Sequence, residues 1–510
     1  MRNNLVTNPK LYEINTRVWI KQFGEQTILS GIPESYFENL ANKGINIIWL
    51  MGIWKTPFSL IEQTCFTPEL VSAYTKALSN WKKTDVIGSP FAIDDYVVNP
   101  LLGKADDLLK LKDKLNSFGL KLFLDFVPNH FSAATRFLKS NPEIFLSGDE
   151  ELYSKDQFTF FKSPNGEDKI FAHGRDPFFP AWDDTVQVNY FNNDARNFMT
   201  ENLLRISELC DGVRCDMAML ELSTVFENTW LGVLNTQNYL KPKNEFWGEA
   251  IQTVKKRNPN FVFLAEAYWD LEWQLQQCGF DYTYDKRLTD RLASNEVLDV
   301  KAHLNADKTF QLKSVRFLEN HDEERAVKRF GLKESLAAAV LTGTIQGMRF
   351  YYDGQFDGKK VKLPVQLGRE PSEKPNLSVR KYYDKILLIT KEKIFQEGNW
   401  QILNALPVSR DNNSFENIFA WQWADQNETR IVAINYSGTT SQCRLKFEVK
   451  SSQTEILLID LLNETQYVRV ADEIKTIGLF IELKSYQSHI FKIGKTSEAV
   501  PSFENECNNF

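Results

Sequence analysis

The chain has no run of eighteen uncharged apolar residues, and its first fifteen residues, MRNNLVTNPKLYEIN, lack the apolar core of a secretory leader. The expectation is a protein that is neither membrane-spanning nor exported, with a cytoplasmic address. Positive charge is also short, since 60 Lys and Arg face 67 Asp and Glu for a formal net charge of −7. Recognition of a nucleic-acid backbone needs clustered positive charge, so nucleic acid is not an expected partner. Cysteine is sparse and scattered: Cys65, Cys210, Cys215, Cys278, Cys443 and Cys507 form no C-x-x-C pair of the kind that marks a zinc site. They read as reduced thiols, mostly buried. What is abundant is aromatic surface, with 12 Trp, 17 Tyr and 37 Phe in 510 residues. Most of these rings fill a core, and the remainder suit the flat faces of sugars.

From about residue 9 to 390, short apolar runs alternate with segments of helical period, the pattern of repeated βα units and so of a parallel sheet or barrel. The clearest strands are expected over 46–50, 121–126, 212–216, 261–266, 315–319 and 348–352. A helix over 104–118 places Leu108, Leu109, Leu111 and Leu115 on one face and stops at Gly119. A second over 194–209 takes Asp194 as its N-cap, with Phe198, Leu203, Leu204 and Ile206 inward. Two long insertions interrupt the alternation, one over 51–100 and one over about 131–187. The second is rich in Phe, Pro and Asp, has no helical period, and is too long for a simple loop. Beyond about residue 395, seven β runs follow one another with no helix between them, which predicts an antiparallel β-sandwich. The expected fold is α/β, with a barrel over 1–130 and 188–394, an inserted domain over 131–187, a sandwich over 395–495 and a loose tail over 496–510.

Four segments put polar residues where strands end, the face on which barrel active sites are built. They are DFVPNH (125–130), GVRCDMAML (212–220), FLAEAYW (263–269) and FLENHDEER (317–325). Singly, a strand-end Asp is more often a turn-former or a cap than a catalyst. Together, Asp216, Glu266 and Asp322 converge on one mouth if the barrel closes, with no Lys nearby in sequence to neutralise them. Converging carboxylates repel, and repulsion with burial separates their pKa values, leaving one ionised as a nucleophile and one protonated as an acid. That division of labour serves glycoside hydrolysis. Arg214 shares a strand face with Asp216 and is placed to hold it ionised, while Cys215 faces the other way.

With these four segments in order, the sequence resembles the α-amylase family of glycoside hydrolases (family 13) over about residues 9–495. Asn129-His130, the G-x-R-x-D of 212–216, Glu266 and His321-Asp322 match the ends or centres of the family's four signature regions. The resemblance implies a (β/α)8 TIM barrel with an inserted domain B after the third strand and a C-terminal β-sandwich. It implies Asp216 as nucleophile, Glu266 as general acid then base, and Asp322 as a catalytic residue that binds and distorts the sugar. It further implies His130 and His321 on sugar hydroxyls, Arg214 orienting Asp216, and Asp125 supporting the site. By spacing from Tyr96, Phe91 takes the place of a ring that stacks on the sugar, and VQVNYF (186–191) resembles the segment closing domain B.

The departures from the family pattern bear on metal and specificity. Where many members carry Lys and His after the nucleophile, this chain has Met219 and Leu220. One calcium contact is thereby missing, so no cofactor or metal is expected to be required, with Asn129 the matching ligand if calcium binds. Tyr268 and Trp269 then stand either as a sugar-binding platform on the leaving side or as core packing. The expected activity is retaining hydrolysis of α-1,4-glucosidic bonds in starch- or glycogen-type glucans or maltooligosaccharides. The alternatives are a 4-α-glucanotransferase or α-glucosidase of the same family and, from another class, an inactive amylase-like binding protein, which the presence of Asp216 and Glu266 disfavours. A metal-dependent barrel hydrolase is disfavoured because the first strand, YEINTR, has no His-x-His pair.

Overall fold

Eight short parallel strands close on themselves in the computed structural model, which describes residues 5–163, 168–448 and 454–494. They are β1 Lys10–Asn15, β2 Ile47–Met51, β3 Lys121–Phe126, β4 Gly212–Cys215, β5 Val262–Ala265, β6 Tyr282–Tyr284, β7 Ser314–Arg316 and β8 Met348–Tyr352. Each pairs with the next, and β8 returns to β1 with Tyr351 opposite Tyr12. Side chains alternate across the sheet, so Leu11, Trp49, Phe123, Leu264, Val315 and Phe350 pack inside the barrel while Tyr12, Ile48, Leu122, Phe263 and Tyr351 meet the surrounding helices. Gly212 is dictated by closure: a Cβ there would lie 2.5 Å from the Phe123 ring and 2.7 Å from the Val262 carbonyl oxygen. That contact is a physical reason for the glycine that opens the G-x-R-x-D segment.

The structure shortens several expected elements. β4 and β5 end one residue before Asp216 and Glu266, and β7 stops at Arg316. The three-residue β6 carried no readable period. The helix Ala105–Ser117 ends as expected at Gly119, whose φ of +76° suits glycine, but Leu109 faces outward. The helix Asn193–Leu209 is capped by Asn192, whose side chain accepts from the Asp194 N–H, so the cap is two residues earlier than expected. Leu203 and Ile206 are buried on its inner face, whereas Phe198 and Leu204 are only partly so.

After β3 the chain leaves the barrel through the strand His130–Ser132, which pairs antiparallel with Thr185–Gln187 on return. Between them lie a second hairpin, Phe160–Lys162 with Ile170–Ala172, and short helices such as Glu150–Lys155. The insertion after β2 carries helix Pro68–Ala77 and a small strand pair, Trp54–Lys55 with Asp95–Val98.

Beyond residue 398 a six-stranded antiparallel sheet faces a three-stranded one. Along Ile418–Ala424, Ile418 and Ala420 point into the core between the sheets, while Phe419, Trp421 and Trp423 pack against the barrel's helices. Trp423 Nε1 donates to the Thr344 carbonyl at 2.6 Å, and Tyr436 Oη to that of Leu292 at 3.1 Å. Contrary to expectation, a short helix, Ala471–Thr476, does interrupt these strands. All five described cysteines are free, and Cys507 and the expected tail lie outside the described residues. Among the described residues no helix is long and apolar enough to cross a membrane.

Candidate active site

Arg214, on β4, is fully buried and joins two of the three expected acids. Its Nη1 donates to Asp216 Oδ1 at 2.5 Å, and its Nη2 lies 2.7 Å from Glu266 Oε2. The guanidinium stands over the Trp49 and Phe91 rings, 5.2 and 5.5 Å from their centroids. Aromatic faces replace part of the hydration that a buried cation loses. Asp216 follows the strand directly, its N–H donating to the Phe126 carbonyl. The next residue, Met217, takes the left-handed conformation at φ +43°, which turns its N–H onto Glu266 Oε2 at 2.6 Å. Backbone strain of this kind collects at functional sites.

Glu266 Oε1 accepts from the Tyr268 hydroxyl at 2.9 Å. Burial pushes its carboxyl up to about 7; Arg214 opposes the rise, while Asp216 and Asp322 add to it. Asp322 is half-exposed at the mouth, and its Oδ2 lies 2.9 Å from His321 Nε2. Desolvation works against its charge, but His321 outweighs this and holds the carboxyl down at about 2. Asp216 and Asp322 thus both sit close enough to Glu266 to raise its carboxyl. Lys362, from the loop after β8, donates to the Asp322 carbonyl, a nearby lysine that the sequence spacing did not reveal.

Asp125 faces into the barrel and accepts from Trp49 Nε1 at 3.1 Å and the Gly52 N–H at 2.9 Å. Burial raises it to about 6 against the pull of Arg214. Its hydrogen bonds go to the scaffold beneath the site. His130 is buried beside Trp182, and burial lowers its imidazole to about 4. Phe91 stacks on His321 with centroids 5.3 Å apart. Trp269 is half-buried at φ +64° and meets the edge of Phe178, an exposed ring of the insertion, at 4.9 Å. Met219 and Leu220 are buried.

One residue that sequence reasoning missed is Glu13 on β1. It is fully buried, and its Oε1 lies 2.5 Å from His321 Nδ1. His321 is therefore clamped between two carboxylates. Burial alone would lower its imidazole, but Asp322 and Glu13 together raise it well above the usual range. The signal for Glu13 was present: a charged residue on the inward face of LYEIN, in step with Leu11. Calcium is not expected to be required, and Asn129, its one matching ligand, is engaged elsewhere. Among the described residues no group of three or more His, Cys, Asp or Glu side chains could hold a metal ion, and Asn129 Oδ1 already accepts from Gln187.

A closed barrel whose C-terminal mouth holds three carboxylates, two of them on one buried arginine, has an arrangement suited to cleaving glycosidic bonds. Residues 28–430 match the family described as "Alpha amylase, catalytic domain". Alpha-amylase 3 of Dictyoglomus thermophilum is 22% identical over 395 residues, covering 71% of this chain and 67% of that protein. A cyclomaltodextrin glucanotransferase of Bacillus sp. (strain 1-1) is 23% identical over 438 residues, 81% of this chain and 54% of that one. The chain thus spans about two thirds of the first relative and about half of the second. Among solved structures, the maltogenic alpha-amylase AmyB from Thermotoga neapolitana superimposes with a TM-score of 0.68 at 19% identity, over 95% of this chain and 98% of that one. The chain belongs to the alpha-amylase family and is a glycoside hydrolase.

Proposed function

We propose that the protein is a retaining hydrolase of α-1,4-glucosidic bonds in starch- or glycogen-type glucans or maltooligosaccharides. The observation that carries this reading is the single guanidinium of Arg214 held by Asp216 on one side and Glu266 on the other. One guanidinium that bridges both carboxylates favours the closer spacing of a double displacement over the wider gap that an inverting enzyme leaves for a water. Asp216, paired with the cation, attacks the anomeric carbon. Glu266, its carboxyl pushed up to about 7, protonates the departing oxygen and then deprotonates water. Asp322, held ionised, binds the sugar hydroxyls and favours the cationic transition state. His130, His321 and Phe91 line the same subsite, and Arg214 and Asp125 position it.

A second reading, a 4-α-glucanotransferase, draws support from the Trp269 and Phe178 pair beside the acid, an apolar surface that binds an acceptor sugar and sheds water. An α-glucosidase of the same family shares the central residues. The domain borders proposed are 1–130 with 188–394, 131–187 and 395–495. No cofactor or nucleic acid takes part, and the free cysteines suit a cytoplasmic address.

A maltoheptaose time course that follows product anomers by NMR tests the reading: the first product keeps the α configuration, and an inverted product refutes it. Glu266→Gln lowers turnover by several orders of magnitude with the fold intact. Retention of a tenth of the wild-type rate would remove Glu266 from its role.

A further inference from the structure

Gln187 ends the short returning strand of the insertion and is fully buried. Its Nε2 has three oxygens within hydrogen-bond distance, the Asn129 carbonyl at 2.9 Å, Asn129 Oδ1 at 2.9 Å and the Val188 carbonyl at 3.0 Å, so its two N–H groups share three acceptors. Three oxygens around one centre is an arrangement that cations also adopt. The amide nitrogen itself fills the place on which the oxygens close, at the usual N–H···O distances of about 2.7–3.2 Å. The donor set argues against a cation, with two carbonyls and one amide oxygen and no carboxylate to balance a double charge. The amide orientation is fixed too. Turned the other way, Oε1 would face three oxygens with no proton between them. Oε1 instead remains without a hydrogen-bond partner, a cost that the three contacts of the nitrogen offset.

We propose that the Gln187 amide does at this junction what a bound metal would otherwise do, tying the insertion to the loop after β3 and fixing His130 as an Nε2–H donor. The link to His130 follows from proton counting. Asn129 Oδ1 is engaged by Gln187, so its Nδ2 is the atom that points 3.3 Å to His130 Nδ1. An amide nitrogen only donates, so Nδ1 is the acceptor, and the single proton of a neutral imidazole sits on Nε2. One amide therefore holds the insertion in place and selects which nitrogen of His130 donates.

The test is calorimetry of the full chain in chelator and in excess calcium. Wild type melts at the same temperature in both. Gln187→Met, which keeps the length and loses the amide, melts several degrees lower and ignores calcium. Gln187→Glu puts a carboxylate against the three oxygens, so it melts lower in chelator and regains stability when calcium is added. A calcium-reversible rise in the wild type, or Gln187→Met melting with the wild type, overturns the proposal. These readouts do not depend on the activity proposed above. The His130 link rests on that reading and is read kinetically. Gln187→Met lowers kcat/KM about tenfold, the worth of one hydrogen bond, and has no further effect in a His130→Ala background. Equal losses in both backgrounds would refute the link.

Discussion

Tyr268→Phe removes one oxygen from the mouth of the barrel and leaves the ring in place. That oxygen donates to Glu266 Oε1 at 2.9 Å, so its loss penalises the ionised carboxylate more than the neutral acid. A hydrogen bond to a charged group contributes about 1.5–3 kcal/mol and one to a neutral group about 1 kcal/mol. The difference, about 0.5–2 kcal/mol, raises Glu266 by roughly 0.4–1.4 units at about 1.4 kcal/mol per pKa unit. Glu266 starts at about 7 and must be protonated to act as the acid. Activity is therefore full below that value and falls as pH rises through it. In the variant the fall moves toward about 7.4–8.4, because kcat/KM reports the free enzyme's acid. The assay is the pH profile of kcat/KM on a chromogenic maltooligosaccharide from pH 5 to 9. At pH 8 the wild type keeps about a tenth of its pH 6 activity and the variant about a third. If the alkaline limb stays in place, or moves to lower pH, Tyr268 does not tune Glu266. A change confined to KM would return it to the role of a sugar platform.

Glu13→Gln takes one of the two carboxylates from His321 and leaves a neutral group of the same size. The imidazole's raised pKa falls, so kcat/KM drops about tenfold and activity declines further toward alkaline pH; a wild-type profile would make Glu13 mere filling. Trp269→Ala lowers the fraction of longer oligosaccharides formed at high maltoheptaose concentration, measured by chromatography. An unchanged transfer fraction would return Trp269 to packing. Trp423→Ala opens the contact between the sandwich and the barrel helices and loses the hydrogen bond to Thr344, a cost of about 3–5 kcal/mol. Thermal melts should show a drop of several degrees, and truncation near residue 394 should give poorly soluble protein. A stable, monodisperse truncation would show the sandwich to be independent of the barrel.

The order of the strand-end segments was legible in the sequence because each is local. A short apolar run followed by a segment of helical period marks a βα unit wherever the chain goes next. That is why 121–126 and 348–352 matched their strands residue for residue, and why Asp216, Glu266 and Asp322 stood out together. The helix stop at Gly119 was equally local. Tertiary structure decided what depends on closure. Tyr282–Tyr284 is too short to show a period and is a strand because its neighbours on both sides supply its hydrogen bonds. The cap at Asn192 was set by which side chain reached the Asp194 N–H. Glu13 and His321 are 308 positions apart and meet only when β1 comes near β7 across the barrel mouth. Lys362 reaches Asp322 from the far side of β8. Gln187 lay inside a segment already singled out, yet nothing in VQVNYF says that its amide would meet three oxygens. Periodicity fixes which face a residue occupies. Which charge or amide lies across from it is set by how the loops close, and the pKa values that divide acid from nucleophile depend on that closure.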